Sequence, residues 1–428
     1  MGAVLKGGTL VELEPACVER CDLRIEAGRI VERGVDLEVR PGDEVIALAG
    51  RLVLPGLVNA HALPALSLAR GLPALRPQGD DPLPPRLALR RTVEAALDPT
   101  ATQVAGAVAA LEALYSGTTT LVANHASPAA VDGSLLRLAR GDHEVGTRGI
   151  LSYAVSDLGG AVAREQALEE GVSFASKAQG RFRGALGIGP LGAISDEGLD
   201  GVQQALETSP GALLHVELAE SAQDGRESLA RHGASSVERL LARGLLGPRS
   251  LAAHLVHLDW PELSKVITTG TWMVHAARTN MQSEVGYAPA GKFGSRTALG
   301  TGGLAGDLFA EAQSAHRRSC DAGQEVDVLR ALANGHRLAS EAFGFPIGPL
   351  REGAAADVIV LDYRPPTPLT AETLAAHLLD GLGSRHVEAV MVDGVWRLWA
   401  RRPLGLDPDA LAEEARRVSA ALAASLAT

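Results

Sequence analysis

Short apolar strands alternate with helical stretches through the middle of this chain, and that alternation constrains its fold more than any other feature. Strand-like runs fall at Leu52 to Val58, Thr118 to Ala123, Gly149 to Val155, Ala185 to Ile188, Ala212 to Val216, Ser250 to Ala253, Thr271 to Val274 and Ala298 to Thr301. Helical stretches lie between them, among them Ala101 to Tyr115, Ala161 to Ala178, Pro261 to Thr268 and Asp307 to Arg318. Parallel neighbours need a crossover between them, and a helix supplies it. Eight such units predict an α/β fold, a (β/α)8 TIM barrel of about 250 residues or more. The 428 residues leave room for one small further domain.

That domain is written at the two ends. Asp22 to Glu26 alternates polar and apolar, Ala27-Gly28 turns, and Arg29 to Val31 returns. Near the other end, Asp357 to Leu361 has the pattern of a buried strand, and Val387 to Val392 returns through Asp393-Gly394 as a hairpin. Neither end alone has enough strands to bury a face, so both are expected in one small β-sandwich. The expected division is 1–52 and 345–402 for the sandwich, 53–344 for the barrel and 403–428 for a C-terminal helix. The proline-dense stretch Pro73 to Pro85 follows the first barrel strand and is expected as a stiff surface excursion.

Composition removes several classes of function. Aromatics are 3% of the chain and the net charge is −11, which excludes a nucleic-acid partner held by stacked rings or basic patches. No run reaches about 18 apolar residues, so no membrane span is expected. The three cysteines, Cys17, Cys21 and Cys320, are too few for a disulfide framework and predict reduced thiols in a cytoplasmic protein. No Gly-x-Ser-x-Gly elbow and no phosphate-binding loop is present.

Particular stretches carry a family resemblance. Leu54-Pro55-Gly56-Leu57-Val58-Asn59-Ala60-His61 resembles the first barrel strand of the amidohydrolase superfamily, and Gly348 to Asp362 resembles its returning sandwich strand. Gly117 to Thr120, His125 to Pro128, Tyr153 to Asp157 and Arg278 to Met281 resemble the SsnA-like aminohydrolases, near the chlorohydrolase and nucleobase-deaminase branch. The resemblance covers nearly the whole chain. It implies a divalent metal at the C-terminal mouth of the barrel. The ligands are a His-x-His pair on the first strand, a His on the fifth and an Asp after the eighth. A Glu three residues beyond the fifth-strand His moves the proton.

Matched position by position, much of that set is replaced. His61 is kept, but Leu63 stands where the second His belongs, and Gly302 stands where the Asp belongs. On the fifth strand, His215-Val216-Glu217-Leu218-Ala219-Glu220 aligns without a gap so that Glu217 replaces the metal His and Glu220 keeps the proton-shuttle place. A shifted alignment would put His215 on the metal and lose the Glu. His254 on the sixth strand and His275 on the seventh are kept. The resemblance thus implies Glu220, His254 and His275 as catalytic positions. His61 and Glu217 remain as metal positions, with His254 as a third donor. Stable sites usually need three protein ligands, so no cofactor is expected beyond weak, substoichiometric zinc or iron. The expected function is that of a pseudoenzyme with a degenerate metal centre, a binding or regulatory subunit that releases no ammonia from purines. It would be a homo-oligomer or the partner of an active paralogue. The alternative is a hydrolase or deaminase of C–N bonds in a small cyclic nitrogen compound, with a rearranged metal site. Restoring His at 63 and 217 and Asp at 302 is expected to recover metal binding.

Overall fold

A computed structural model describes residues 2–73 and 83–426. Of the proline-dense stretch, residues 74–82 lie outside the described residues. Eight parallel strands, Leu57–Ala62, Thr118–His125, Arg148–Val155, Phe182–Ile188, Leu213–Leu218, Ser250–His254, Trp272–His275 and Thr297–Leu299, pair in chain order. The barrel is nearly closed: Ala62 bridges Gly302, and the N–H groups of Thr301 and Gly302 each donate 2.9 Å bonds to the His61 carbonyl. The second and third strands are buried along their whole length, as parallel strands covered on both faces must be. Val58, Ile150, Leu213 and Leu251 belong to one apolar cluster of the barrel. The expected (β/α)8 barrel is therefore present.

The expected first strand is divided. Leu52–Pro55 runs antiparallel to Val358–Leu361 in a second sheet, and only Leu57–Ala62 enters the barrel. Pro55 has no N–H to continue a ladder, and a Cβ on Gly56 would meet Thr119 at 2.4 Å, so the chain changes sheets at a close approach that only glycine allows. The second sheet has nine strands drawn from both chain ends, and its own core includes Leu5, Leu23, Ile30, Val358 and Met391. The helix Pro408–Leu426 packs back on Pro99–Tyr115, with the Ser419 hydroxyl donating to the Leu68 carbonyl at 2.7 Å. Among the described residues, no helix is long and apolar enough to cross a membrane.

Candidate active site

Two neighbouring strands end in strained backbone. The fifth strand is followed by Ala219 at φ 52°, and the sixth ends on His254 at φ 76° with Leu255 at 49°. Left-handed backbone is costly for residues with a Cβ, roughly 1–3 kcal/mol each, and persists where surrounding contacts enforce it. Here the Leu255 N–H donates to the Leu218 carbonyl at 2.9 Å and the Val256 N–H to the Ala219 carbonyl at 3.1 Å. The paired turns bring Glu220 beside His254, with the Glu220 Oε1 to His254 Nδ1 distance 3.7 Å. The same nitrogen, Nδ1, also meets Asn280 Oδ1 at 2.8 Å, while Nε2 on the other side of the ring has no hydrogen-bond partner among the described residues.

A cavity of about 290 Å³ opens over these strand ends. Leu87, Tyr153 and Leu158 contribute apolar wall, and Arg90, Glu217 and Glu220 contribute its charged part. Arg90 comes from the helix Pro85–Ala95 and is buried. Its two terminal nitrogens donate to the two oxygens of Glu217, both at 2.7 Å, and its Nε donates to Glu94 at 2.8 Å. Asn124 adds a 2.8 Å bond to Glu217 Oε1. Burial alone would raise the Glu217 pKa, but the Arg90 charge and these hydrogen bonds outweigh it and hold the carboxyl at about 2. Burial also works against the Arg90 charge, yet Glu217, Glu94 and Glu220 hold its pKa well above the usual arginine value.

The histidines are arranged differently from the expected ligand set. His61 Nδ1 meets His215 Nε2 at 2.9 Å, and the His61 ring packs edge-on against His254 with centroids 4.9 Å apart. All three rings are fully buried. Burial, then the neighbouring His254, pushes the His61 pKa well below its ordinary value; burial brings His215 to about 3. His275 is buried against Tyr287 and Phe293, and burial lowers it to about 4. Of the expected trio His61, Glu217 and His254, the structure groups Glu217 and His254 with Glu220: one side-chain donor atom from each lies within 4.8 Å of the others. His61 is taken up by His215 instead.

Leu63 and Gly302 do not offer a route back to the family set. Leu63 is buried, and its N–H donates to the Gly302 carbonyl at 2.8 Å. Gly302 sits at φ 53°, and a Cβ there would meet the Thr279 side chain at 2.8–3.0 Å. An aspartate at 302 would combine left-handed backbone with a steric clash. Restoring the aspartate would therefore require the Thr279 side chain to shift.

Asn280, which holds His254, lies on the short helix Ala277–Gln282, and Glu311 anchors the start of that helix. Glu311 is fully buried and accepts from the Arg278 N–H at 3.2 Å. Burial raises its pKa to about 8 against the opposing Arg278 charge and the N–H bonds. The folded state thus holds this proton more tightly than the unfolded chain, whose value is 4.5. The resulting stabilisation is complete below pH 4.5 and is lost as pH rises through 8. Glu311→Gln is expected to flatten that part of the stability profile in urea unfolding at pH 5 and pH 9. An unchanged pH dependence would assign it to other groups.

Arg90, Glu94, Asn124 and Asn280 carry much of the site's charge and hydrogen bonding, yet the motif comparison did not single them out as site residues. The available signal for Arg90 was its i,i+4 spacing to Glu94 beside Leu87 and Val93, which equally describes a solvated helix face.

The Amidohydrolase family model matches residues 52–397, and the chain belongs to that family. A 5'-deoxyadenosine deaminase of Methanosarcina mazei is 28% identical, over 98% of each chain. A 5-methylthioadenosine/S-adenosylhomocysteine deaminase of Desulforudis audaxviator is 30% identical over 95% of each. In fold, the chain is similar to a zinc-bound adenosine deaminase of Xanthomonas campestris, with a TM-score of 0.85 at 23% identity over 99% of this chain and 98% of that one. Relatives named as deaminases along their whole length overturn the expectation of a pseudoenzyme acting as a binding or regulatory subunit. The degenerate-centre reading conflicts with the same relatives.

Proposed function

We propose that this chain is an aminohydrolase that removes an exocyclic amino group from a small nitrogen heterocycle, with adenosine-like nucleosides as the first substrate class. The observation that carries this reading is Glu220, buried beside His254 on the cavity wall with Oε1 lacking a hydrogen-bond partner. A buried carboxylate oxygen left unpaired is costly, and a substrate or its attacking water would satisfy it. Named deaminases of nucleosides among the relatives support the substrate class. The cavity volume of about 290 Å³ lies near the lower end of small-molecule sites, roughly 300–1,000 Å³.

Glu220 accepts a proton from water as the water oxygen bonds to the ring carbon bearing the amino group. The carboxylic acid returns that proton to the adjacent ring nitrogen. It then takes the new hydroxyl's proton and delivers it to the amino group. The C–N bond breaks and ammonia leaves. His254, braced by Asn280, orients the oxygen being added, and Arg90 presents a fixed positive charge 3.7 Å from Glu220. Leu87, Tyr153 and Leu158 pack against the ring and exclude bulk water. Glu217, Glu220 and His254 are the residues that would hold a divalent ion; Glu220 Oε1 and His254 Nε2 are unpartnered, and Glu220 has a second oxygen for the proton. The chemistry such an ion supplies is ionisation of bound water near neutral pH.

Ammonia release is expected when the purified chain, with and without added zinc, is incubated with adenosine, 5'-deoxyadenosine, methylthioadenosine and S-adenosylhomocysteine. A folded protein that releases none from any of them would remove the nucleoside reading.

A further inference from the structure

We infer that Arg90 is a tethered cation that competes with a divalent metal ion for the cage formed by Glu217, Glu220 and His254. The cage has the composition of a metal site: two carboxylates and an imidazole, all buried, with ligating atoms within 4.8 Å of one another. Glu220 Oε1 has no hydrogen-bond partner, so part of the cage is open. Glu217 is not open. Both of its oxygens accept from Arg90 at 2.7 Å, in the two-pronged geometry in which guanidinium grips a carboxylate best. Arg90 also reaches within 3.7 Å of Glu220 Oε2. Its charge therefore lies between the two carboxylates that an ion would need.

The arginine is fixed there by more than one contact. Glu94 holds Nε from the same helix, and the side chain is buried at the cavity wall. A divalent ion entering the cage must take Glu217 from this grip and then face a guanidinium with little water between them. A buried carboxylate paired with arginine is already compensated, so exchange gains less than binding to a free carboxylate would. In the family pattern the fifth-strand position offers a neutral imidazole, which needs no such partner, whereas Glu217 is a charge that Arg90 balances.

This rests on the cage described under the proposed reaction, but its test reads metal binding and not turnover, so the two can fail separately. Zinc affinity is measured on the full chain by competition with a chromogenic chelator. Arg90→Met is expected to bind at least about tenfold tighter than the parent, within the range by which partners of metal ligands alter affinity. Arg90→Gln removes the charge while keeping donors for Glu217, and serves if the methionine variant does not fold. Adding Glu217→Gln to either variant is expected to abolish the gain. Equal zinc affinity in the parent and in a folded Arg90 variant would overturn the inference. So would a gain that survives Glu217→Gln, because the ion would then sit elsewhere.

Discussion

Glu220→Gln is expected to lower kcat for deamination by about 10²–10⁴-fold while leaving the fold and substrate binding nearly intact, since that is the typical worth of a positioned proton carrier. The substitution keeps shape and hydrogen-bonding capacity but removes the basic oxygen. Because Glu220 follows the strained Ala219 turn, its carboxylate is placed by backbone and not by a flexible stem alone. Among the described residues its charged partners are His254 at 3.7 Å and Arg90 at 3.7 Å, neither a hydrogen bond. Little structure therefore depends on its charge. The measurements are steady-state kcat and KM together with a thermal melt. A variant with unchanged kcat would assign the proton to another group. A parallel fall in melting temperature would instead make Glu220 a structural residue, and the kinetic loss uninformative.

How much of this was legible in sequence differs by level. The barrel was legible because eight buried strands with helices between them leave few other topologies, and the second sheet because each end showed strands without a partner face. Glu220 and His254 could be located because Ala219-Glu220-Ser221 and Ala253-His254 continue a motif on adjacent strands. The division of the strand at Gly56 was not legible, since Leu52 to Val58 is apolar throughout and periodicity does not show where a ladder changes partner. Arg90 was hidden for a similar reason. An arginine four residues before a glutamate looks the same on a solvated helix as in a cavity, and only tertiary packing turns this one toward Glu217. The expectation of a dead site failed against the relatives named as deaminases. Counting lost ligands treated each position separately, whereas the fold gathers Glu217, Glu220 and His254 from residues assigned different roles.

The largest expected loss of stability lies away from the cavity, where the barrel meets the second sheet. Arg148 opens the third barrel strand, and Asp357 immediately precedes the strand Val358–Leu361. The Arg148 Nε and a terminal nitrogen donate to the two Asp357 oxygens at 2.6 and 3.0 Å, and both residues are 1% exposed. Asp357 Oδ1 also accepts from the Asp393 N–H at 2.7 Å, and the Asp357 carbonyl accepts from Gly56, where the chain changes sheets. One carboxylate thus ties together the barrel, the returning strand and the hairpin turn. Removing Arg148 leaves the Asp357 carboxylate buried and uncompensated, which costs about 3–5 kcal/mol, whereas Arg148 without Asp357 keeps the Asp393 carboxylate at 2.8 Å. Arg148→Met is expected to lose stability on that scale in chemical unfolding, and Asp357→Leu to lose less, because Asp393 still faces Arg148. The double variant should lose much less than the sum, because it removes the stranded charge as well as the pair. The same tie makes separate folding of the barrel unfavourable: cutting away residues beyond 345 strands Arg148 and uncovers Val58 and Leu54 together. A soluble, cooperatively melting barrel fragment, or single variants that lose less than about 1 kcal/mol, would show that the two sheets are held by apolar packing and that this buried pair contributes little.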